Sequence, residues 1–355
     1  KKDGMIEGVF RLFRTGNIKR RRKTVLYVGL DVHKEFCQAS VLDENGEEIS
    51  NERVVTSIEE LDRFLDRFQE ARFVLESTGV WEFVYGIVEA RGFDIVLAHP
   101  LKVKAISSAK IKTDKVDART LARLLYLDMV PSSHVPSREV RDLRELLRHR
   151  KALVEKSTAF KNRVHAELLR RGIKRPEALK SAFSSDAIAW MRSLDIRTVS
   201  WNLDMVEALQ TQIKDVNRVL LRRFEEMEDA QLVATVPGIG FYGAMLIAAE
   251  IDDVRRFETP AQLCSYAGLV PSVHQSSSSC HYGHISKQGS RHLRWMMVEA
   301  VHVHLWCCPD SKLSRFYRKL ARKKGKQVAR IATARKMLHM IYWMLLNKED
   351  FKVTG

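Results

Sequence analysis

No stretch of this chain stays apolar for the length that a bilayer-spanning helix needs. The N-terminal stretch, polar and basic through Arg20-Arg-Arg-Lys23, has none of the long apolar core of a secretory signal. Cysteines are few: five in 355 residues, an odd number without framework spacing. That speaks against a disulfide scaffold and for a reducing cytoplasm. Acid is also in short supply, with 44 Asp and Glu against 60 Lys and Arg, a net charge of +16. An excess of that size concentrates polyanions around the protein. With the membrane set aside, the partners to expect are DNA or RNA, although a merely basic or ribosome-associated protein would carry the same charge.

What is present suffices for two or three domains, each with its own core, and a hydrophobic share of 45% fits globular protein. Residues 1–23 read as a basic flexible arm. Residues 24–130 then alternate strand and helix signals. Val25–Val32, Phe36–Leu42 and Ile49–Thr56 are β-rich runs parted by turn formers such as Asp43-Glu-Asn-Gly46. Ile58–Phe68 has helical spacing, Arg72–Glu76 is a short buried strand, Trp81–Arg91 a helix and Asp94–Ala98 another strand. Lys115–Leu127 closes the unit as a helix. Three strands followed by strand–helix repeats is the order of an RNase H-like α/β domain.

From about Ser137 the texture becomes helical and charged. Arg138–Arg171 and Leu203–Gln231 predict two long helices, the second with approximate heptad spacing through Val206, Leu209, Ile213, Val216, Leu220 and Met227. Together they predict an antiparallel hairpin or coiled-coil arm over 138–231, either a nucleic-acid and oligomer contact or a plain structural bundle. The segment 172–200 between them is mixed and more polar. Residues 232–350 make a mainly helical C-terminal domain. In it Val236-Pro-Gly-Ile-Gly240 feeds the apolar helix Ala244–Ile251, as in a helix–hairpin–helix element that lets backbone approach a phosphate. A simple tight turn explains those glycines too. Ala261–Leu269 predicts a helix, Pro271–Gly289 a loop rich in Ser, Gly and His, and Ser290–Cys307 a buried helix. A basic helix over Lys312–Met337 and an apolar segment, His339–Leu346, complete the domain.

Two groups of residues carry chemistry. Asp31 and Glu76 fall at the ends of apolar strands, and Asp114 and Asp117 lie three apart on one helix face. Hard carboxylate oxygens in that arrangement suit a pair of Mg²⁺ ions, which stabilise the attacking and leaving oxygens of a phosphoryl displacement. Any one of these acids is ordinary on a surface; the joint placement is not. The second group is His274-Gln-Ser-Ser-Ser-Ser279 with the cations Lys287, Arg291 and Arg294 following. A serine hydroxyl attacks phosphate only when its proton is removed and the phosphate is held. Taken alone, such a run is a flexible loop.

These motifs resemble the DEDD transposases of the bridge-RNA-guided insertion sequences, the insertion-sequence "one-ten" family with its "eleven-eleven" relatives. The likeness begins at Tyr27-Val-Gly-Leu-Asp-Val-His-Lys34 and continues through Glu76-Ser-Thr-Gly-Val-Trp81 and Lys112-Thr-Asp-Lys-Val-Asp-Ala118. Pro237-Gly-Ile-Gly240, Ala267-Gly-Leu-Val-Pro271 and Gly283-His-Ile-Ser-Lys-Gln-Gly289 follow in the same order, so it spans about residues 24–345. The resemblance implies a RuvC-like domain whose Asp31, Glu76, Asp114 and Asp117 bind Mg²⁺. It implies a coiled coil and a C-terminal transposase domain with a nucleophilic serine that becomes covalently joined to DNA. It also implies donor and target DNA, a structured non-coding bridge RNA, and a homo-oligomer, dimer or tetramer, whose subunits share a composite site. The expected setting is cytoplasmic and nucleoid-associated. Register from Pro271 to Gly283 selects Ser276, with Ser277 as the fallback, because the family's Gln-Ser-Gly is Gln275-Ser-Ser277 here.

Other features predict less. A metal-dependent junction resolvase using water, or a non-catalytic nucleic-acid-binding relative, would share the acids or the charge. His302, His304, Cys307 and Cys308 lack zinc-ligand spacing. Trp295, Trp306 and Trp343 are expected in the core. The basic run with Arg318, Arg322, Lys323 and Lys324 predicts a phosphate-contacting helix.

Overall fold

The computed structural model describes residues 25–106, 113–276 and 279–352. They fall into two compact units, one ending at Val135 and the other beginning at Pro136. The sequence arm at 1–23 lies outside the described residues. The architecture is an α/β unit followed by a mainly helical one.

In the first unit, β1 (Leu26–Val32), β2 (Phe36–Leu42) and β3 (Glu48–Val55) form an antiparallel meander. After α1 (Ile58–Leu65), β4 (Ala71–Glu76) pairs parallel to β1. Then α2 (Trp81–Ala90) leads to β5 (Asp94–Ala98), parallel to β4. The sheet order is β3-β2-β1-β4-β5, which puts β1 at the centre. Alternation along β1 sorts its side chains: Val28, Leu30 and Val32 join Phe73, Leu75, Leu61 and Val84 in the core under α1 and α2. The other face is covered by α3 (Pro100–Ile106) and α4 (Asp114–Tyr126), whose Val103, Leu121 and Leu125 pack with Val74 and Ala98. Large aliphatic side chains buried this way contribute about 2 kcal/mol each. The helix α3, opened by Pro100 at its first turn, was no part of the sequence expectation.

In the second unit, α5 (Arg138–Arg170) and α7 (Arg197–Glu225) run antiparallel, with the short α6 (Ser185–Ser193) between them. Leu143 and Leu147 of α5 cluster with Leu220 near the end of α7, and Val164 and Leu168 cluster with Val199 and Leu203 at its start. Arg150 donates to the Asn217 side chain at 3.0 Å midway. The second long helix was expected over 203–231. It starts six residues earlier, where Val199 is the only buried apolar side chain of the first turn, and it breaks at Glu226 and Met227 before α8 (Glu228–Ala234). Heptad spacing reaching Met227 disguised that break.

Next come α9 (Phe241–Ile251) and α10 (Pro260–Tyr266). Between α8 and α9, Gly238 at φ +98° lies so close to the next long helix that an added Cβ would sit 2.6 Å from the His304 nitrogen. That glycine serves packing, whereas the space around Gly240, the N-cap of α9, is open. The predicted loop at 271–289 is instead largely an antiparallel pair, β6 (Pro271–Ser276) and β7 (Ser279–Ile285). Its polar composition gave no apolar alternation from which to read strands; backbone pairing alone defines them. After α11 (Arg291–Cys307), the expected single basic helix is two: α12 (Lys312–Lys324) and α13 (Lys326–Asn347), divided at Gly325, φ +86°. Among the described residues no helix is long and apolar enough to cross a membrane.

Candidate active site

The acid site is assembled by the centre of the sheet and the helix laid over it. Parallel pairing of β1 with β4 runs to Leu30 opposite Leu75, so Asp31 and Glu76, one residue further on, leave adjacent strands at the same edge. Helix α4 then comes down on β1 at Gly29. A Cβ at Gly29 would lie 2.2 Å from the Ala118 carbonyl oxygen and 2.4 Å from the Ala122 nitrogen, so only glycine admits this helix. Thr113 caps α4, its hydroxyl accepting from the Val116 N–H at 3.3 Å. Asp114 and Asp117 therefore fall in the first turn, where the helix's amide dipoles favour carboxylates.

The four expected acids share one cleft of about 440 Å³, lined also by His33, Lys34, Thr78 and Gly79. Asp31 is largely buried. Its carboxyl is pushed above the usual range first by burial and further by the charges of Asp114 and Asp117, and His33 opposes the shift. His33 was quoted within a motif but given no role by sequence reasoning. Its Nε2 stands 3.2 Å from Asp31 Oδ2 and 3.6 Å from Asp114 Oδ1, and one ligand atom from each residue lies within 4.8 Å of the others. The Asp-Val-His spacing was the available signal, since residues two apart on a strand share a face. Arg53, from β3, adds an ion pair to Asp114 Oδ2 at 3.7 Å, with its guanidinium over the Phe36 ring at 4.2 Å from the centroid.

This donor set fits a hard divalent cation. Carboxylate oxygens converge where like charges already oppose ionisation of Asp31. The Thr78 hydroxyl in the cleft wall is buried with no protein partner among the described residues. Asp31, Asp114 and His33 are the closest-gathered donors; Glu76 and Asp117 line the same space.

The serine candidates lie on the second unit. Ser276 is the last residue of β6, paired with Ser279 of β7; its side chain, like Ser277 as a whole, lies outside the described residues. The nearby cations are placed differently from one another. Lys287 is exposed in a left-handed turn at φ +53°, and Arg291 is exposed at the start of α11. Arg294 turns inward and donates to the Ala267 carbonyl at 3.0 Å, closing the end of α10. The base of this segment is tied down by Ser290, which caps α11 and donates to Glu250 Oε2 at 3.0 Å. Buried Glu250 also receives Arg148 of α5 at 2.7 Å.

Arg315, Arg318, Lys319, Arg322 and Lys323 line one face of α12, at helical spacing. Lys324 ends that helix, exposed. His304 is buried and bonds the Pro237 carbonyl at 2.7 Å and Ser311 at 2.9 Å. The tryptophans depart from expectation. Trp295 is partly buried under Lys151, but Trp306 is 85% and Trp343 52% exposed.

Residues 28–171 match a family of DEDD transposases named for IS110, and residues 230–318 match the transposase IS116/IS110/IS902 family. Among relatives, the transposase for insertion sequence element IS1111A of Coxiella burnetii is 26% identical, over 99% of this chain and 98% of its own length. The transposase for insertion sequence element IS1328 of Yersinia enterocolitica is 24% identical, over 79% of this chain and 84% of its own. A pilin gene-inverting protein of Moraxella bovis is 28% identical, over 78% and 81%. With two transposase models of this family matched in order, and relatives aligned over most of the chain, this chain belongs to the IS110 family of transposases.

Proposed function

We propose that the protein is an RNA-guided DNA recombinase that excises and inserts a mobile element by serine attack on a DNA phosphate. One observation carries the reading: Asp31 and Glu76 from two adjacent strands, with Asp114 and Asp117 from the helix packed over them, line a single cleft. These four residues would hold Mg²⁺, with His33 as a further candidate ligand. When bound, the metal supplies Lewis-acid polarisation of phosphoryl oxygens and stabilises charge on the displaced oxygen. Lys34, in the cleft wall, would neutralise the phosphate.

In the proposed step the Ser276 hydroxyl gives up its proton and Oγ forms an ester bond to phosphorus. The bond from phosphorus to a sugar oxygen breaks, and that oxygen departs with the electron pair and takes a proton. The covalent ester conserves the phosphodiester energy, so a second DNA hydroxyl can later displace the serine. Ser277 is the fallback nucleophile. Lys287 and Arg291, both exposed close in sequence, would hold the phosphate, with Arg294 bracing the segment beneath them. Acids and serine lie on separate units, in keeping with a composite site completed in a dimer or tetramer. The α5–α7 hairpin would supply coiled-coil contacts between copies. A structured non-coding RNA would choose donor and target DNA by base pairing, while the protein reads backbone and shape. The Moraxella relative's name, a gene inverter, suits recombination better than hydrolysis.

The test is capture of the adduct. A nicked donor duplex incubated with protein, Mg²⁺ and the element's RNA should give a denaturant-resistant protein–DNA species that Ser276→Ala abolishes. If Ser276→Ala and Ser277→Ala both still recombine DNA, the covalent-serine reading fails. Cleavage without any adduct would favour a resolvase using water.

A further inference from the structure

Trp343 sits in an unbroken apolar stretch, Met340–Leu346, yet is half exposed. The stretch covers every side of α13, so composition hides which residues face outward. Met337, Leu338, Ile341, Tyr342 and Leu345 take the core. On another side Ala332, Arg335, Lys336, His339, Met340 and Trp343 line a shallow groove of about 400 Å³. The charge there is of one sign: Arg335 and Lys336 have no carboxylate partner among the described residues. Lys336 Nζ lies 4.7 Å from the Phe316 ring centroid on α12, so the groove adjoins the helix that carries the five-cation face.

We propose that this groove binds an unpaired stretch of DNA, with a base stacked on the Trp343 indole and the flanking phosphates on Lys336 and the α12 cations. An apolar protein partner would bury Arg335 and Lys336 without counter-charge, which is costly. A duplex would leave the indole idle, because its base faces are already covered by their neighbours. A single strand satisfies both features: any base offers a π-face, and the backbone offers the negative charge. A transposase meets unpaired DNA whenever strands are exchanged. The inference rests on the family's DNA substrate and is independent of the serine reading.

The experiment measures binding of a fluorescein-labelled oligo-dT, a duplex of equal length and oligo-U by anisotropy, using the full chain. Trp343→Ala should weaken oligo-dT binding about tenfold and leave the duplex unchanged, and Trp343→Phe should keep most of the affinity. Lys336→Ala should weaken oligo-dT binding and lower its salt dependence by about one charge. Three results would each overturn the proposal. In one, Trp343→Ala binds oligo-dT like the parent or loses both ligands equally. In another, only oligo-U binding falls. In the third, the variant changes oligomeric state while oligo-dT binding stays intact, marking the groove as a contact between copies. None of these outcomes bears on adduct formation, so failure here is distinguishable from failure of the recombinase reading.

Discussion

In the cleft of the first unit, carboxylates crowd together with His33 and Arg53 among them, and burial holds Asp31 toward its neutral form. On α12 the crowding is of cations. Arg315, Arg318, Lys319, Arg322 and Lys323 share one face, and Asp310, 3.7 Å from Arg318, is the only ionic partner for any of them among the described residues. Desolvation separates the two. Acids drawn from three elements and half hidden from water gain much from a small, hard cation that replaces lost hydration. Cations in a row on one exposed helix need no such site; water already solvates them, and a long polyanion adds to that by releasing counterions. On the proposed reading the first would serve chemistry and the second grip.

Removing one carboxylate charge should break this contrast most sharply. Asp31→Asn is expected to cut strand cleavage by about a thousandfold, the loss of several kcal/mol of transition-state stabilisation, with DNA affinity nearly intact in a mobility-shift assay. Equal loss of binding would mean the cleft grips DNA as well. Next in size is Gly29→Ala, whose methyl group would collide with the backbone of α4. Chemical denaturation should show a destabilisation of about 3 kcal/mol, together with loss of cleavage, because Asp114 and Asp117 ride on that helix. An unchanged unfolding midpoint would show that α4 does not pack as described. The smallest effect belongs to the exposed face. Lys319→Ala with Lys323→Ala should weaken DNA binding several-fold at moderate salt and reduce the salt slope by about two, while single-turnover cleavage at saturating protein stays constant. A fall in that saturated rate would place α12 at the reacting phosphate.

Strands and acids of the first unit were legible because their signals are local. An apolar run marks β1, and Asp31 closes that run near the strand's end. Gly29 is the instructive residue: in the sequence it is one small residue in an apolar run, and only the helix above it reveals why no side chain fits. The second unit was read less well. The α12–α13 boundary rests on Gly325 within a run of lysines and arginines that are equally at home in one long helix. The β6–β7 pair was hidden because strands of Ser, His and Gln carry no apolar face to announce them. Trp343 was misplaced because size and apolarity predict burial on average but not which side of a helix looks inward.

Taken alone, the chain dictated its charge, its alternation of strand and helix, and a family likeness distributed over ordered motifs. Each is written in a few consecutive residues or in simple sums. Tertiary structure decided what depends on distance between remote segments: that Asp114 comes within reach of Asp31, that His33 lies between them, and that Arg294 faces a carbonyl while Trp343 faces outward. The reason is physical: periodicity follows from backbone geometry within one element, whereas proximity is set by how closely one surface can approach another.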